Sequence, residues 1–217
     1  MDDDDRDLSR RAQILATEHW SLLASRSTTQ SEVLVRIQMF LTLVSAALVS
    51  LALVGQATAF RAPFPGIAVG VLAFVVLAGT LTALRVQNVS MEDLMYVVAM
   101  NRLRGAYVDL DPGVAPYFMT SVHDDMPGAQ HTYYFLGRRT DFVHVAASSH
   151  VFLVVVLSAL TGLLCAAAVA LLGLPVVVAA VGGTGCALAY FGFWYWWGRR
   201  QFTSTMTTLV ALRPSTG

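Results

Sequence analysis

Polar and apolar positions divide this chain into long uncharged runs separated by polar stretches. Residues 37–60 and 67–84 contain no Asp, Glu, Lys, Arg or His. Residues 151–197 lack those five types and also Asn and Gln. One bilayer crossing needs ~20 apolar residues, so this last run is too long for one crossing and suits two. Gly173-Leu174-Pro175, near its middle, supplies helix breakers for a turn. So short a loop forces the two helices to lie antiparallel and adjacent. Arg199 and Arg200 stop the run. The pattern predicts an all-α polytopic membrane protein, with four transmembrane helices and a helical cytosolic cap.

The polar stretches carry their own helical signals. Residues 1–7 hold five Asp and one Arg and read as a disordered acidic N-terminus. Residues 8–29 form an amphipathic cytosolic helix, because Leu8, Ala12, Leu15, His19 and Leu22 recur on one face. Thr29 with Glu32 matches a capping box, which starts a new helix and the first hairpin, residues 30–84. Arg61-Ala62-Pro63-Phe64-Pro65-Gly66 turns that hairpin. Residues 85–150 form a cytosolic helical segment. Within it, Ser90 and Asp93 cap a helix over 91–108, and Asp111 with Pro112 opens another. Residues 123–128 read as a loop, and Thr140-Asp141 begins a helix that runs into the third span. The second hairpin is 151–197, and 198–217 is a frayed cytosolic tail.

Composition supports the membrane reading and adds an orientation. The chain is 56% hydrophobic and 13% charged, where a soluble domain carries about a quarter charged residues. Its formal net charge is zero, which gives no general attraction to nucleic acid. No cleavable signal peptide is expected, since the N-terminus is acidic and polar. All 14 basic residues are Arg, and with four spans every one except Arg61 falls on the same side. The positive-inside rule then puts both termini and the central segment in the cytosol, in a cell inner membrane. The aromatic cluster 190–197 falls at the cytosolic end of the fourth span, as an interfacial belt does. Cys165 and Cys186 lie at different distances from the turn, which argues against a bridge and for plain packing.

Candidate chemistry is sparse. An uncharged membrane interior weighs against ion-coupled transport. Small residues form stripes at helical spacing: Gly66 and Gly70; Ser158, Gly162, Ala166 and Ala170; Gly182, Gly185, Ala189 and Gly192. They let helices approach closely, either within one bundle or at a subunit interface. His123, Asp124, Asp125 and His131 are weak candidates for a metal or acid–base site, because their spacing matches no ligand signature. The plain reading is a loop whose Asp124 and Asp125 face water. Arg102, Arg104, Arg138 and Arg139 form a modest basic group suited to inner-leaflet lipid or other anions. No phosphate-cradling glycine loop or nucleophile motif is present, so neither catalytic residues nor a cofactor are expected.

The run Thr17-Glu18-His19-Trp20-Ser21-Leu22-Leu23-Ala24-Ser25-Arg26 resembles the opening of a family of uncharacterised bacterial four-span integral membrane proteins. Met100-Asn101-Arg102-Leu103-Arg104, Ala106-Tyr107, Pro116-Tyr117-Phe118 and His123-Asp124-Asp125 resemble that family's central segment. The resemblance implies a membrane location and no assigned activity. The layout up to Leu84 is also similar to SLATT-type membrane effectors, in which a cytosolic helix precedes a membrane hairpin. The expected function is therefore non-enzymatic: an oligomeric pore-forming or signalling effector or scaffold, partnered by the bilayer, by copies of itself, and by a protein at the cap. The alternatives are a membrane-embedded enzyme acting on a lipid-like substrate through the His/Asp loop, or an accessory subunit of a membrane complex.

Overall fold

The computed structural model describes residues 3–137 and 148–215. The fold is helical, with no strand among the described residues. In chain order it comprises α1 (Asp3–Ala57), α2 (Phe64–Leu110), a 3-10 helix (Pro112–Tyr117), α3 (Met126–Tyr133), α4 (Ser149–Leu171) and α5 (Val176–Thr208). Helices α1, α2, α4 and α5 are each long and apolar enough to cross a membrane.

Two expected breaks do not occur. α1 begins at Asp3, so the acidic start is helical and not disordered. Its first turns are laced by Arg6–Asp3, Arg10–Asp7 and Arg11–Asp7 ion pairs. α1 also runs straight through the expected capping box at Thr29. Here Thr28 Oγ1 and Ser31 Oγ donate to the carbonyls of Ala24 and Ser27, four residues back (3.0 and 2.9 Å). A hydroxyl bonded in this way satisfies itself inside the helix and no longer caps a new one. α2 likewise continues through Arg85 and Ser90, where no Gly or Pro interrupts it. Capping residues permit a helix to start but do not compel one to stop. The helix expected from Thr140 lies outside the described residues. α4 starts at Ser149, with the Ser148 side chain accepting from Val151 N–H (3.3 Å).

The second turn forms at its glycine and proline, whereas the first begins earlier than expected, at Thr58, through left-handed Ala59 and Phe60, and Phe64, Pro65 and Gly66 lie inside α2. After α4 the chain reverses at Gly173 (φ +71°), and Leu174 N–H bonds to Val169 O (3.4 Å). That six-to-one bond around a left-handed glycine is a Schellman ending. α1 ends in a similar bond, from Phe60 N–H to Gly55 O (2.8 Å). The Phe60 ring folds back so far that a Cβ on Gly55 would lie 2.3 Å from it. Gly55 is therefore required by this turn.

The described residues fall into two units. The first comprises Met1–Glu32, Asn88–Asp141 and Phe202–Gly217, and the second comprises Val33–Gln87 and Phe142–Gln201. In the first unit Leu94, Val97, Val98 and Met100 of α2 pack with Ala129 of α3. Leu22 of α1, Tyr133 of α3 and Leu209 after α5 close over them. In the second unit the buried positions of α1 are Val33, Ile37, Phe40, Val44 and Leu51, one face at helical spacing. The buried positions of this unit include Ala68, Leu72, Val75 and Ala83 on α2, and Leu153, Leu157 and Leu160 on α4. Gly79 marks the tightest point, where an added Cβ would stand 2.3 Å from Leu157 and 2.5 Å from Phe40. The Thr80 and Tyr190 hydroxyls pair across this unit at 2.9 Å. The aromatic cluster of α5 divides between two roles. Trp194 is buried edge-on against His150 and Trp197 (ring centroids 5.7 and 5.3 Å). Tyr195 and Trp196 are exposed and carry Arg199 and Arg200 over their rings.

Candidate functional site

The expected His/Asp loop is a docking station for the C-terminal segment. Asp124 is fully buried, not solvated. Its carboxylate accepts from Arg102 Nε, from Leu212 N–H (2.9 Å) and from Arg213 N–H (2.7 Å). Its own N–H donates to Arg213 O (3.3 Å). Arg102 reaches on to Val210 O, and Arg213 donates to Gly105 O (2.6 Å) and Asp109 (2.8 Å). Asp125 caps α3 by accepting from Gly128 N–H (2.9 Å), and its second oxygen takes the N–H and the hydroxyl of Ser215. The tail is thus strapped down, not frayed. The reason is simple: two adjacent carboxylates offer acceptors to backbone N–H groups that have no helix to bond within.

These bonds also set the charges. Burial pushes the Asp124 carboxyl up, but the Leu212 N–H, the Arg102 side chain and the Arg213 N–H outweigh it and hold the group below the usual carboxylate range. Asp125 follows the same balance, with burial opposed by Ser215 and by Gly128 N–H. Both oxygens of Asp124 are engaged by charged or backbone donors, which spends three of the carboxylate's roughly four acceptor sites on the tail and Arg102. His131 is exposed in the last turn of α3. Among the described residues no three His, Cys, Asp or Glu side chains gather closely enough to hold a metal.

The basic group is also divided. Arg102 is committed to Asp124, which corrects its assignment as a free anion contact. Arg138 and Arg139 lie outside the described residues. Arg104 is half-buried and donates to Asn101 Oδ1 (2.8 Å), a neutral acceptor. Asn101, fully buried, also accepts from Thr132 (2.9 Å) and donates to His123 O (2.8 Å). Three groups converge on Asp93. Arg26 binds both its oxygens (2.6 and 3.2 Å), and Gln30 and Tyr133 each add a bond at 2.8 Å. Burial and the Asp93 charge push the Tyr133 hydroxyl far up, so it acts only as a donor. Nothing in the spacing of Arg26, Gln30, Asp93 and Tyr133 marked this hub, because its members come from three different helices.

The small-residue stripes serve two ends. Gly162 faces the α4–α5 contact, where an added Cβ would stand 2.8 Å from Gly183 O and 3.1 Å from Ala187. Gly183, which the expected stripe omitted, is its counterpart, at 2.6 Å from Gly162 O and 3.2 Å from Ala166. Ser158 is buried in the same helix and bonds back to Val154 O (2.7 Å). By contrast Gly66, Gly70, Gly185 and Gly192 have no described atom within 4 Å of an added Cβ, and Ala170 and Ala189 are exposed. Gly182 meets only Val169, at 4.0 Å. The same close approach brings the Cys165 and Cys186 thiols into hydrogen-bonding reach as free cysteines, despite their unequal distances from the turn.

Comparison with protein-family models, with curated proteins and with solved structures returned no match.

Proposed function

We propose that this chain is a non-enzymatic, oligomeric protein of a cell inner membrane, acting as a pore-forming or signalling effector or scaffold. Both termini and the polar unit face the cytosol. The observation that carries this reading is the outward set of small residues: Gly66 and Gly70 on α2, and Gly185, Ala189 and Gly192 on α5. Intramolecular packing does not require glycine at these positions. Glycine inside a helix costs roughly 1 kcal/mol relative to alanine, so unused glycines on apolar helices point to a second helix that approaches them. The engagement of Asp124 and Asp125 as structural anchors supports the non-enzymatic half of the proposal, because most of their acceptor capacity is spent on Arg102, the tail and the α3 cap.

Mass measurement of the full chain in detergent, by light scattering or native mass spectrometry, should return a multiple of the monomer. Bulky substitution at Gly185 together with Gly192 should shift that mass toward the monomer while leaving helix content unchanged. A strictly monomeric wild type would overturn the oligomeric reading. Orientation has its own test. A membrane-impermeant thiol reagent added outside intact cells should leave a cysteine at Ser215 unlabelled, whereas labelling there would reverse the threading.

A further inference from the structure

We propose that His19, Arg104 and Tyr107 form a binding site for a phosphate group. The starting point is an asymmetry among the arginines of the polar unit. Arg6, Arg10, Arg11, Arg26, Arg102 and Arg213 each pair with a carboxylate. Among the described arginines of the unit built from residues 1–32, 88–141 and 202–217, Arg104 alone pairs with none, and meets only the neutral side-chain oxygen of Asn101. A guanidinium has five N–H donors, and a half-buried cation with one neutral acceptor is under-compensated.

The surroundings deepen that imbalance. From α1, Arg26 and His19 face Arg104. Burial lowers the pKa of Arg104 and the Arg26 charge lowers it further, while burial and the Arg104 charge do the same to His19. From α2, Tyr107 lies one turn beyond Arg104, and its ring stacks on His19 (centroids 6.1 Å apart). Asp93, eleven residues before Arg104 on α2, is saturated by Arg26, Gln30 and, from α3, Tyr133. Its charge is therefore matched by Arg26, and Arg104 remains as the uncompensated cation. Neither the Tyr107 hydroxyl nor the His19 ring has a hydrogen-bond partner among the described residues. Arg104, Tyr107 one turn further on, and His19 stacked on the Tyr107 ring gather a guanidinium without a carboxylate, a hydroxyl and an imidazole at one α1–α2 contact. A tetrahedral oxyanion with several acceptor oxygens satisfies such a set, and arginine binds phosphate in bidentate fashion.

The phosphate has two sources of shared chemistry, an anionic lipid headgroup or a soluble phosphate ester, and the experiment separates them. Full-length protein in neutral detergent is titrated calorimetrically with pyrophosphate. In parallel, native mass spectrometry counts phosphatidylglycerol retained against a non-ionic lipid. Binding in either arm, weakened about tenfold or more by Arg104→Gln, is the expected result, since a charge-assisted bidentate contact is lost. Arg61→Gln, which removes an equal charge from the α1–α2 turn, should leave binding unchanged. Should Arg104→Gln fold poorly, His19→Phe combined with Tyr107→Phe keeps the stacked rings and removes the donors, and should weaken binding at an unaltered melting temperature. Absence of binding by the wild type in both arms, undiminished binding in a folded variant, or equal loss in Arg61→Gln would each overturn the site.

Discussion

Replacing Asp124 with Ala should release the C-terminal segment and destabilise the polar unit by ~3–5 kcal/mol, the usual cost of removing one partner from a buried ion pair. Asp124 is fully buried and serves Arg102 together with the backbone N–H groups of Leu212 and Arg213. Its removal takes the carboxylate from the Arg102 cation and leaves two N–H groups without that acceptor at once. Leu209 closes the core around Leu94, Val97 and Met100, so a loosened tail also uncovers apolar surface. The measurement is thermal unfolding of the full chain in detergent, paired with chymotrypsin digestion at native temperature. The bond after Leu212 should become cleavable in the variant while it resists in the wild type, where the Leu212 and Arg213 N–H groups are tied to Asp124. An unchanged melting temperature with that bond still protected would mean the strap is held by something else.

The same anchor has a pH dependence of definite sign. Asp124 and Asp125 both titrate below their ordinary range in the folded chain. A depressed carboxylate pKa means that the unfolded state binds more protons, so the stabilisation is complete above the unfolded value of about 3.9. It is lost as the pH falls from there through the depressed native values. Cleavage of the tail after Leu212, read with an acid-tolerant protease, should therefore appear only below about pH 4. Release near pH 6 would implicate a histidine instead.

Gly183→Leu is expected to have the second large effect, with Gly185→Leu as its control. An added Cβ at Gly183 falls 2.6 Å from the Gly162 carbonyl oxygen, which is backbone and has no rotamer to move into. The α4–α5 pair must separate to admit even a methyl group. Overpacking of this kind costs roughly 1–3 kcal/mol, and the larger leucine belongs at the upper end. Gly185 lies two residues further along with open space around it. The outcome to look for is a lowered melting temperature for Gly183→Leu, with Gly185→Leu melting like the wild type but losing mass in the oligomer assay. Equal behaviour of the two variants would show that the contact at Gly162 and Gly183 does not set the helix pair.

The candidate sites were legible in the sequence to very different degrees. His123-Asp124-Asp125 stood out by composition, yet its role did not, because the groups that use it, Leu212, Arg213 and Ser215, lie about ninety residues away. The basic residues 102 and 104 look equivalent in the chain. Only the carboxylate that each helix register brings near distinguishes them, since Arg102 finds Asp124 and Arg104 finds none. The glycine stripe read on α5, Gly182, Gly185, Ala189 and Gly192, omits Gly183, the position that meets α4. Periodicity locates a face of a helix only to within neighbouring positions, whereas backbone contact selects a single one.

From the sequence alone came the four apolar helices and the Gly173 turn. Length of an uncharged run and a left-handed glycine are local quantities, and local backbone chemistry enforces them. The start of the first turn at Thr58 and helix continuity through Thr29 and Ser90 were decided by the folded chain, because a capping residue permits a helix to start without compelling one to stop. The docked tail, the Asp93 hub and the uncompensated Arg104 likewise belong to the tertiary structure. Each depends on which distant acceptor or donor ends up within three ångströms, and no spacing along the chain encodes that distance.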